Sequence, residues 1–589
     1  MARWQRQVQV RRSARVGVAV AGAFVLAAAM AAQAAPSGAS VTSGKTVSVR
    51  ADGASKVARS TIRMVGTSDP ASIKASSGAS RRVSRPLPVL YPHGSSSKGG
   101  VAPAVSAAKL VGRPGHASGS LIRNFDGIDA IQNKATAGFN LEPPDEGLGA
   151  GNGFVANFVN VTAGIYQTDG RMVAGPFYLN PFFGEPDAAN ISDPRVFYDS
   201  SSHRWFATVV EYQFNSDFTA ITESHVDLAV SRSANPAHHW NLYQIPTSNL
   251  THAGCPCLAD YPILGVDSQN VYVSTNEFTS NESSFNGAQL YVLSKSQLEA
   301  GSSAVNLVYF QNLSEAGAPA FHVQPANEYG ATHAEWLMSS LDPNNTNDHR
   351  LGVWAVTSRR SVTSGHGMPA LSVKTIHSES YAFPPNAQTP KGFCPGIDCH
   401  NGRGAPTTGI LQTDWDAMQE TQFMHGQLIG ALNTGVTIPG DPATRSGVAW
   451  FDVHPTLNGA TVAAGTHVAH QGYLSVLGQY ILYPHINMTD NGDLALTYGL
   501  TGPSTFPSAA YSVARNNSFK FVKIAAAGTG PDNGFTATRQ YGGAGRWGDY
   551  SNGEIIPGTN RVWLATQYIP NSGTGNSNWG NRIFELKLP

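Results

Sequence analysis

The amino-acid sequence predicts an all-β fold, a single β-propeller of six to eight four-stranded blades with seven as the expected number. The main observation is a repeated strand–turn–strand phrase. Residues 193–212 hold an apolar run, a polar turn and a second apolar run that ends in Glu followed by an aromatic residue. The phrase returns in 261–278 and 550–568, and more weakly in 483–498. Recurrence at the spacing of one four-stranded unit is typical of propellers.

The first 34 residues have the features of an export signal. Arginines in the first 15 positions precede an uncharged stretch over 16–32, and Ala32-Gln33-Ala34 supplies a cleavage motif. We expect removal of 1–34 and a secreted, cell-surface or periplasmic protein without a stable membrane span. The alternative is an N-terminal membrane anchor.

Residues 35–120 have the composition of a basic linker or propeptide. They are rich in Ser, Ala, Gly, Arg and Lys, and Tyr91 is their only aromatic residue. Such a segment cannot bury enough apolar surface to offset the entropy of ordering, so we expect a disordered leader. The alternative is a basic arm that tethers the protein to an anionic cell surface.

Charge is distributed unevenly along the chain. Residues 1–120 hold 17 of the 39 Lys and Arg residues but only two of the 39 Asp and Glu residues, which leaves 22 basic and 37 acidic residues in 121–589. A phosphate-binding surface needs a basic face, so the acidic body argues against nucleic acid as a partner.

From residue 121 to the C-terminus, short apolar runs alternate with Gly- and Pro-rich turns, as expected for the propeller. A weak helical pattern over 414–429 is the exception. The last strand, 582–588, is expected to close the propeller by pairing with its first blade. The predicted blade starts are Gly147, Ile191, Leu258, Phe321, Thr407, Gln479 and Arg546.

Four cysteines form two short motifs, and an exported chain with an even number of cysteines predicts disulfides. We expect Cys394 to pair with Cys399, and Cys255 and Cys257 either to pair with each other or to stay as thiols. Cross-pairing between the motifs and a four-thiolate zinc site are the alternatives.

The sequence predicts no metal site and no cofactor. His454, His467 and His470 are a candidate metal cluster, but scattered histidines in polar loops are the preferred interpretation. Asp490 and Asp493 flank Gly492 in a stretch that favours a hairpin turn over a cation loop.

The repeated strand ends supply the best catalytic candidates. Glu211, Glu277 and Gln567 occupy one position of the repeat, and Tyr498 is a fourth candidate for it. In the structural interpretation, these side chains bond to neighbouring backbone. In the catalytic interpretation, the two glutamates share a pocket about 5–5.5 Å apart for a retaining glycosidase or about 6.5–9.5 Å apart for an inverting one.

A second set of candidates comes from the closing stretch of the chain. Trp547, Asp549 and Tyr550 follow Arg546 and are expected near the mouth of a central depression. Asp549 and Tyr550 are candidate catalytic residues. The candidate binding residues are Arg195, Tyr498, Arg546, Trp547 and Gln567.

Two segments resemble the Asp box of sialidase-like propellers, Ser-x-Asp-x-Gly-x-x-Trp. Residues 233–240 keep the Ser and Trp with Asn235 and Ala237 at the Asp and Gly positions, whereas 514–521 keeps only the spacing. The closing stretch 546–551 is similar to a large group of secreted bacterial propellers of no established function. The resemblance covers most of 140–589 and implies a fold, with the Asp box as a turn between the outer strands of a blade.

True sialidases use three arginines, a Tyr–Glu pair and an Asp. The resemblance suggests Arg195, Arg546, Tyr550, Glu211 and Asp549 as analogues. The signature that precedes the first arginine of the family is missing here, which puts sialidase activity in doubt.

Two function classes remain. The first is a monomeric exported propeller that binds a glycan, a peptide or a surface partner through its loop face. The second is a glycoside hydrolase or lyase that acts on a polysaccharide in the central depression. Propellers host both classes. We favour binding, because the sequence shows no set of nucleophile, base and orienting residue.

Overall fold

The computed structural model describes residues 47–48, 56–73, 102–110, 119–341, 347–396, 399, 402–541, 543–570 and 577–589. These residues belong to one compact unit that spans 39–589. Strand makes up 57% and helix 6%, so the all-β prediction is confirmed. The predicted signal peptide lies outside the described residues.

Seven groups of four antiparallel strands follow one another within the described residues, and we name them units 1 to 7. Units 1 and 2 comprise Gly147–Gly151, Phe154–Val159, Thr162–Gln167 and Met172–Tyr178, then Asn190–Asp199, Arg204–Phe214, Ile221–Ser231 and Trp240–Pro246. Units 3 and 4 comprise Leu258–Val266, Asn270–Phe278, Phe285–Ser294 and Ala304–Glu315, then Gln324–Tyr329, Glu335–Ser340, Asp348–Thr357 and Ala370–Tyr381.

Units 5 and 6 comprise Thr421–Met424, Gln427–Val436, Arg445–His454 and His467–Leu474, then Tyr480–Met488, Leu494–Gly502, Thr505–Arg515 and Phe521–Ala526. Unit 7 comprises Asn552–Ile556, Arg561–Tyr568, Gly580–Lys587 and, from the start of the body, Ser120–Asp129.

The first strands of the units are neighbours in space. Each one contacts the first strand of the next unit, and Asn552–Ile556 of unit 7 contacts Gly147–Gly151 of unit 1. Unit 7 takes its fourth strand from Ser120–Asp129, which pairs with the C-terminal strand Gly580–Lys587. This pairing covers a sheet edge that would otherwise stay open. The arrangement is that expected of a propeller-like fold.

Six of the seven predicted starts lie within six residues of an observed first strand. The fifth is wrong: unit 5 begins at Thr421, because the connection from unit 4 is an insertion over 382–420. The weak helical pattern over 414–429 does not correspond to a helix, since Thr421–Met424 and Gln427–Val436 are strands there. Their alternating faces are buried on both sides, which produces a helix-like run of apolar residues.

The expected disordered leader is wrong for residues 56–73. Lys56–Ser68 is a strand whose first part pairs with Ala304–Glu315 of unit 3 and whose last part pairs with Trp240–Pro246 of unit 2. Val57 and Ile62 are buried in the cores of those units. The segment needs no core of its own, because it adds a fifth strand to two sheets that already exist.

A second part of the leader, 102–110, lies along units 5 and 6. The N–H of Val105 donates to Thr437 O at 2.9 Å, the N–H of Ala108 donates to Ser475 O at 2.8 Å, and Lys109–Leu110 pairs in parallel with the fourth strand of unit 6. Residues 35–46, 49–55, 74–101 and 111–118 of the predicted linker lie outside the described residues.

The apolar core lies between neighbouring units. Phe206 of unit 2 packs with Leu264 of unit 3 in one buried cluster, and Ile429, Leu496 and Leu564 join units 5, 6 and 7 in another. In the part of the chain that the structure describes, no helix is long and apolar enough to cross a bilayer. The helices are Pro70–Ser72, Ala130–Ala137, Leu179–Phe183, Lys295–Glu299, Arg360–Ser364 and Arg539–Tyr541. The remaining short strands are Val47–Ser48, Ala318–Pro319, Ala387–Gln388, Phe393–Cys394, Ala405–Pro406, Ile410–Leu411, Leu457–Asn458, Thr461–Val462 and Ser518–Phe519.

Candidate functional site

In every unit, one residue before or within the first strand adopts a left-handed backbone conformation. The φ angles lie between 38° and 59° at six non-glycine residues and reach 125° at a glycine. These residues are Asp145, Asp193, Tyr261, His322, Asp414, Tyr483 and Gly548. Non-glycine residues seldom adopt this conformation, and it persists only where the surrounding contacts hold it. Its return in every unit identifies a shared structural position.

At three of these positions the next residue is proline, and the pairing of the first two strands shifts register there. The residues are Asp193, Tyr261 and Tyr483. Such a bulge inserts an extra residue and re-aims the neighbouring side chains. The recurrence of Asp-Pro or Tyr-Pro at the start of a strand is the sequence signal from which this position could have been predicted.

Residues at or within two positions of Asp145, Asp193, Tyr261 and Gly548 meet in one largely buried group, which we name the central cluster. It consists of Asp145, Asp193, Arg195, Tyr261, Arg546, Asp549 and Tyr550. Nη2 of Arg546 donates to both carboxylate oxygens of Asp549, at 2.9 and 2.8 Å. The N–H of Asp549 donates to Oδ1 of Asp145 at 2.8 Å. The cluster therefore connects the stretch 546–551 with the residues that precede unit 1.

Arg195 is the second cation of the central cluster. Its guanidinium carbon lies 3.3 Å from the ring centroid of Tyr550 and 4.9 Å from that of Tyr261. Its Nη1 lies 3.7 Å from Oε2 of Glu420. The pKa of Arg195 is raised although burial acts to lower it, because the two tyrosines and Glu420 favour the charged form.

The pKa values of Asp145 and Asp193 in the central cluster, and of the neighbouring Asp414, are raised above their ordinary values, mainly by burial. Burial, followed by the charges of Asp549 and Asp193, raises the pKa of Asp145 well above its ordinary value. Burial and then Asp549 raise the pKa of Asp414 to about 7, and the hydroxyl of Tyr483 donates to that carboxylate at 2.5 Å. Because some of these carboxyl groups keep their protons, several of them can lie close together in a buried site.

Three aspartates of the central cluster lie close enough together to coordinate a cation, but their oxygens already accept hydrogen bonds. One carboxylate oxygen from each of Asp145, Asp193 and Asp549 lies within 4.8 Å of the others. Each of these carboxylates already accepts hydrogen bonds at both oxygens; Asp193, for example, accepts from Ser192 Oγ at 2.8 Å and from the N–H of Tyr261 at 3.1 Å. The cluster is therefore satisfied by hydrogen bonds and protons alone.

The structure brings together four of the residues singled out in the sequence. Arg195, Arg546, Asp549 and Tyr550 all lie in the central cluster. The hydroxyl of Tyr550 donates a hydrogen bond to the backbone oxygen of Pro194 at 3.0 Å. Both Asp549 and Tyr550 are buried, with exposures of 7% and 1%.

The other binding candidates lie in the scaffold around the cluster. Gln567 is buried and its Nε2 donates to Tyr550 O at 3.2 Å. Trp547 is buried with Tyr480 and Leu482 in a cluster of units 6 and 7. The hydroxyl of Tyr498 lies 2.6 Å from Ser512 Oγ within the core of unit 6, away from the central cluster.

Glu211 and Glu277 are buried in separate groups, each within its own unit. Oε1 of Glu277 is 2.7 Å from His252 Nδ1 and accepts from Asn286 Nδ2 at 2.9 Å. Glu211 lies 3.4 Å from His225 Nδ1, and burial raises its pKa to about 8. The two glutamates do not share a hydrogen-bonding partner among the described residues, which supports the structural interpretation of the repeated strand ends.

Two hairpins that carry phenylalanines pack beside the central cluster, and we name them the rim. The N–H of Ile221 donates to Ser280 O at 2.6 Å and joins the hairpin after Phe214 to the hairpin before Phe285. Phe214 and Phe285 are half-buried against the apolar cluster that contains Tyr261 and Tyr550. Phe218, at the tip of the first hairpin, is 50% exposed.

Asp260 provides the acidic group of this rim. It is half-buried, and burial together with Asp193 and Asp549 raises its pKa well above the ordinary value. The charge of Glu282, on the second hairpin, contributes in the same direction. A carboxyl group that keeps its proton can both donate and accept hydrogen bonds.

Two long connections, 382–420 and 527–551, pack against each other beside the central cluster. The N–H of Phe393 donates to Oδ1 of Asn533 at 2.9 Å, and the N–H of Gly545 donates to Ile410 O at 2.8 Å. The first connection carries the Cys394–Cys399 disulfide, which packs on Phe535.

Both cysteine motifs form internal disulfides, Cys255–Cys257 and Cys394–Cys399. The predicted Cys394–Cys399 pair is confirmed. Cross-pairing and a four-thiolate zinc site are both wrong, because each sulfur is bonded within its own motif and the short spacing already brings the partners together. Disulfides fit an oxidising compartment.

The three histidines of the alternative metal cluster lie on the surface of unit 5. His470 Nδ1 is 2.9 Å from Oδ2 of Asp452, while the His454 and His467 rings are 5.8 Å apart. His454 and His470 have exposed fractions of 44% and 51%. The strands of unit 5 that carry these histidines have one face exposed to solvent, which accounts for the positions of the three side chains.

Both segments that resemble the Asp box are turns between the third and fourth strands of a unit. In unit 2 the N–H of Asn235 donates to Ser233 Oγ at 3.2 Å, and Nε1 of the buried Trp240 donates to Pro236 O at 2.8 Å. The second turn, in unit 6, contains Asn516 and Asn517, both in the left-handed region. The expected structural role of the motif is confirmed.

Comparison with known proteins gives no family model and no curated relative that matches the chain. Among solved structures, a protein of unknown function from Dyadobacter fermentans is 12% identical over 68% of this chain and 95% of its own, with a TM-score of 0.30. Trypanosoma rangeli sialidase in complex with sialic acid is 9% identical over 75% of this chain and 59% of its own, at 0.32.

The GH93 alpha-L-arabinofuranosidase of Fusarium graminearum, in complex with arabinobiose, is 9% identical over 79% of this chain and 97% of its own, with a TM-score of 0.31. Sialidases, the family that the Asp-box-like turns resemble, are thus among the similar structures. Similarity at this level is too weak to support an inference about function.

Proposed function

We propose that this chain is an exported seven-bladed β-propeller that binds a glycan at the rim of its central cluster without hydrolysing it. The seven units, the contacts between their first strands in chain order and the contact between units 7 and 1 support the blade number and closure. The two disulfides support an oxidising compartment. We expect a monomer that recruits no nucleic acid.

The observation that carries the binding function is the rim itself. Phe218 presents half of its surface to solvent beside the half-buried Phe214, with the two ring centroids 6.1 Å apart. An exposed aromatic face stacks on the apolar face of a sugar ring. Asp260 lies next to these hairpins and supplies hydrogen bonds for sugar hydroxyls, which aromatic rings alone cannot provide.

Binding is favoured over hydrolysis because the candidate catalytic groups are engaged elsewhere. The Tyr550 hydroxyl donates to Pro194 O, and both Asp549 oxygens accept from Arg546. Glu277 has hydrogen-bonding partners of its own, and Glu211 lies in a different group. A glycosidase needs two carboxyl groups that face one cleft and reach the substrate. The alternative, a glycoside hydrolase or lyase, requires this network to rearrange.

A glycan and polysaccharide array tests the proposal when it is scored both for retained protein and for released products. We expect retention by the mature protein and no product. Phe218→Ala and Asp260→Asn should each weaken binding about tenfold, since a tenfold change corresponds to about 1.4 kcal/mol and one stacking or hydrogen-bonding contact contributes energy of that order. Phe521→Ala is the matched control, because Phe521 is 42% exposed on the fourth strand of unit 6.

Three results would overturn the proposal. Product release would establish the hydrolase or lyase instead. If neither rim variant weakened retention, the glycan would bind elsewhere on the protein. Retention on a peptide array but on no glycan would make the partner a peptide.

A further inference from the structure

A second group of ionisable side chains lies inside unit 2, outside the central cluster. It contains Glu185, Glu211, His225, Asp227 and Gln244, and we name it the unit 2 cluster. Glu211, His225, Asp227 and Gln244 come from the second, third and fourth strands of the sheet, where Glu211 is paired with His225 and Asp227 with Gln244. Glu185 follows the short helix Leu179–Phe183 that connects unit 1 to unit 2.

His225 is at the centre of the group. Its Nε2 lies 3.3 Å from Oε1 of Glu185 and 3.4 Å from Oδ1 of Asp227, while Nδ1 lies 3.4 Å from Oε2 of Glu211. Nε2 of Gln244 is 3.1 Å from the same Nε2 of His225 and 2.8 Å from Oε1 of Glu185. One imidazole is therefore surrounded by three carboxylates and an amide.

Two of the three carboxylates of this group are buried without a hydrogen-bond donor of good geometry. Glu211 and Asp227 are 0% and 1% exposed, and neither oxygen of either carboxylate accepts a hydrogen bond of good geometry from a described residue. Burying carboxylate oxygens in this way is costly unless a cation compensates them. The central cluster differs, because each oxygen of its three aspartates has a donor.

We propose that the unit 2 cluster binds one Zn²⁺ through Nε2 of His225 and one carboxylate oxygen each from Glu185 and Asp227. Ligand atoms around a tetrahedral zinc ion at about 2.0–2.1 Å lie about 3.3–3.4 Å from one another. The measured distances of 3.3 and 3.4 Å from Nε2 to the two carboxylate oxygens match this edge length. The three ligand atoms lie within 4.8 Å of one another.

Gln244 and Glu211 complete the site in different ways. The amide nitrogen of Gln244 lies at hydrogen-bond distance from two of the ligand atoms, and exchanging the amide N and O turns its oxygen toward the metal as the fourth ligand. Glu211 faces the other ring nitrogen of His225 at 3.4 Å. A carboxylate at this position fixes the tautomer of a ligating histidine and increases its basicity.

Charge favours the metal over a protonated histidine. The two carboxylates proposed as ligands, Glu185 and Asp227, carry two negative charges when ionised. An imidazolium ion compensates one of them, whereas Zn²⁺ with neutral imidazole compensates both. An imidazolium ion also offers only two N–H donors to the four oxygens of Glu211 and Asp227. Imidazole and carboxylate together suit zinc, and no soft thiolate ligand is present in the group.

Metal analysis and zinc titration of the mature protein test this inference directly. The protein is stripped with a chelator and titrated with ZnCl₂ by calorimetry, and bound zinc is measured after gel filtration. We expect one zinc per chain. Asp227→Asn and His225→Gln should abolish stoichiometric binding, and Glu211→Gln should weaken it about 10- to 100-fold while the ligands stay in place.

The matched control is His470→Gln, which alters a histidine paired with a buried aspartate on the surface of unit 5. It should keep the full zinc content. The titration of the wild-type chain decides the question even if a variant fails to fold. Absence of stoichiometric zinc uptake by the stripped wild-type protein overturns the proposal, as does equal loss of zinc in His470→Gln.

Discussion

The guanidinium carbon of Arg195 lies 3.3 Å from the centroid of the Tyr550 ring, although the two residues are 355 positions apart in the chain. Arg195 belongs to the first strand of unit 2, and Tyr550 precedes the first strand of unit 7. The first strand of unit 1 contacts the first strands of both unit 7 and unit 2. The Arg195–Tyr550 contact therefore spans unit 1 and links units that share no sheet. The central cluster therefore contributes to closure as well as to the chemistry of the rim.

The first prediction concerns this contact. Tyr550→Phe removes the hydrogen bond to Pro194 O and should cost about 1 kcal/mol in the free energy of unfolding. Arg195→Met should cost about 3–5 kcal/mol, because it leaves the buried Glu420 without its guanidinium partner. Denaturant unfolding measures both. Arg350→Met is the control: its partner is Asp348, but the Arg350 side chain is 36% exposed, so its loss should cost less than about 1 kcal/mol. Equal costs for the two arginines would contradict the prediction.

The second prediction concerns pH. Burial, and then Asp532, raises the pKa of Glu142 to about 8 in the folded protein, above the ordinary value of 4.5. The stability contributed by the protonated group is complete below about pH 4.5 and is lost as the pH rises through about 8. Glu142→Gln should therefore gain stability relative to the wild type between pH 6 and pH 9. The amide oxygen can still accept from Thr536.

Urea unfolding of both proteins at the two pH values measures the gain. Glu379→Gln, at an exposed position, should show no such gain. A difference between wild type and Glu142→Gln that stays constant from pH 6 to pH 9 would show that Glu142 is already ionised in the folded protein.

The third prediction concerns the N-terminal strand. Ile62 is 1% exposed and packs in the core of units 2 and 3, whereas Val65 on the same strand is 45% exposed. Ile62→Ala should lower the free energy of unfolding by about 2–5 kcal/mol, and Val65→Ala by less than about 0.5 kcal/mol. Chemical denaturation of the two variants provides the comparison. If Ile62→Ala were as mild as Val65→Ala, the strand would not be part of the folded core.

The fourth prediction concerns the Cys394–Cys399 disulfide in the connection 382–420. Replacing both cysteines by serine should destabilise this connection by about 2 kcal/mol, the value expected for a loop of roughly six residues in the chain-entropy model. Limited proteolysis should then cleave within 382–420 faster than in the wild type. Cleavage within 247–257, which carries the other disulfide, should not change. Faster cleavage at both places would indicate global destabilisation.

Much of the architecture could be predicted from the sequence. The repeated strand–turn–strand phrase located the first strands at Gly147 and Leu258 without error, because alternating apolar residues and turn residues are local signals. The disulfide between Cys394 and Cys399 followed from their spacing. The all-β class and the two turns that resemble the Asp box were also predicted from the linear order of residues. The C-terminal strand was expected to pair with the first blade, but it pairs with Ser120–Asp129, which completes unit 7.

The central cluster could be predicted only in part. Arg195, Arg546, Asp549 and Tyr550 were singled out from sequence, but Asp145 was not, since no local pattern distinguishes it. Asp145, Asp193 and Tyr261 meet here because units 1, 2 and 3 each bring a left-handed residue to the same place. The Glu211–Glu277 pair failed for the opposite reason: equivalent positions in a repeat need not face one another.

The sequence by itself determined the all-β class and where six of the seven four-stranded units begin, because those properties depend on residue types that follow one another in the chain. Only the tertiary structure decided that Lys56–Ser68 is a strand and that His225 gathers three carboxylates. A low-complexity segment becomes ordered when it can pair with the edge strands of two folded sheets. The unit 2 cluster forms because three strands and one connection bring its side chains together. Both depend on contacts between residues far apart in the chain, which local composition does not encode.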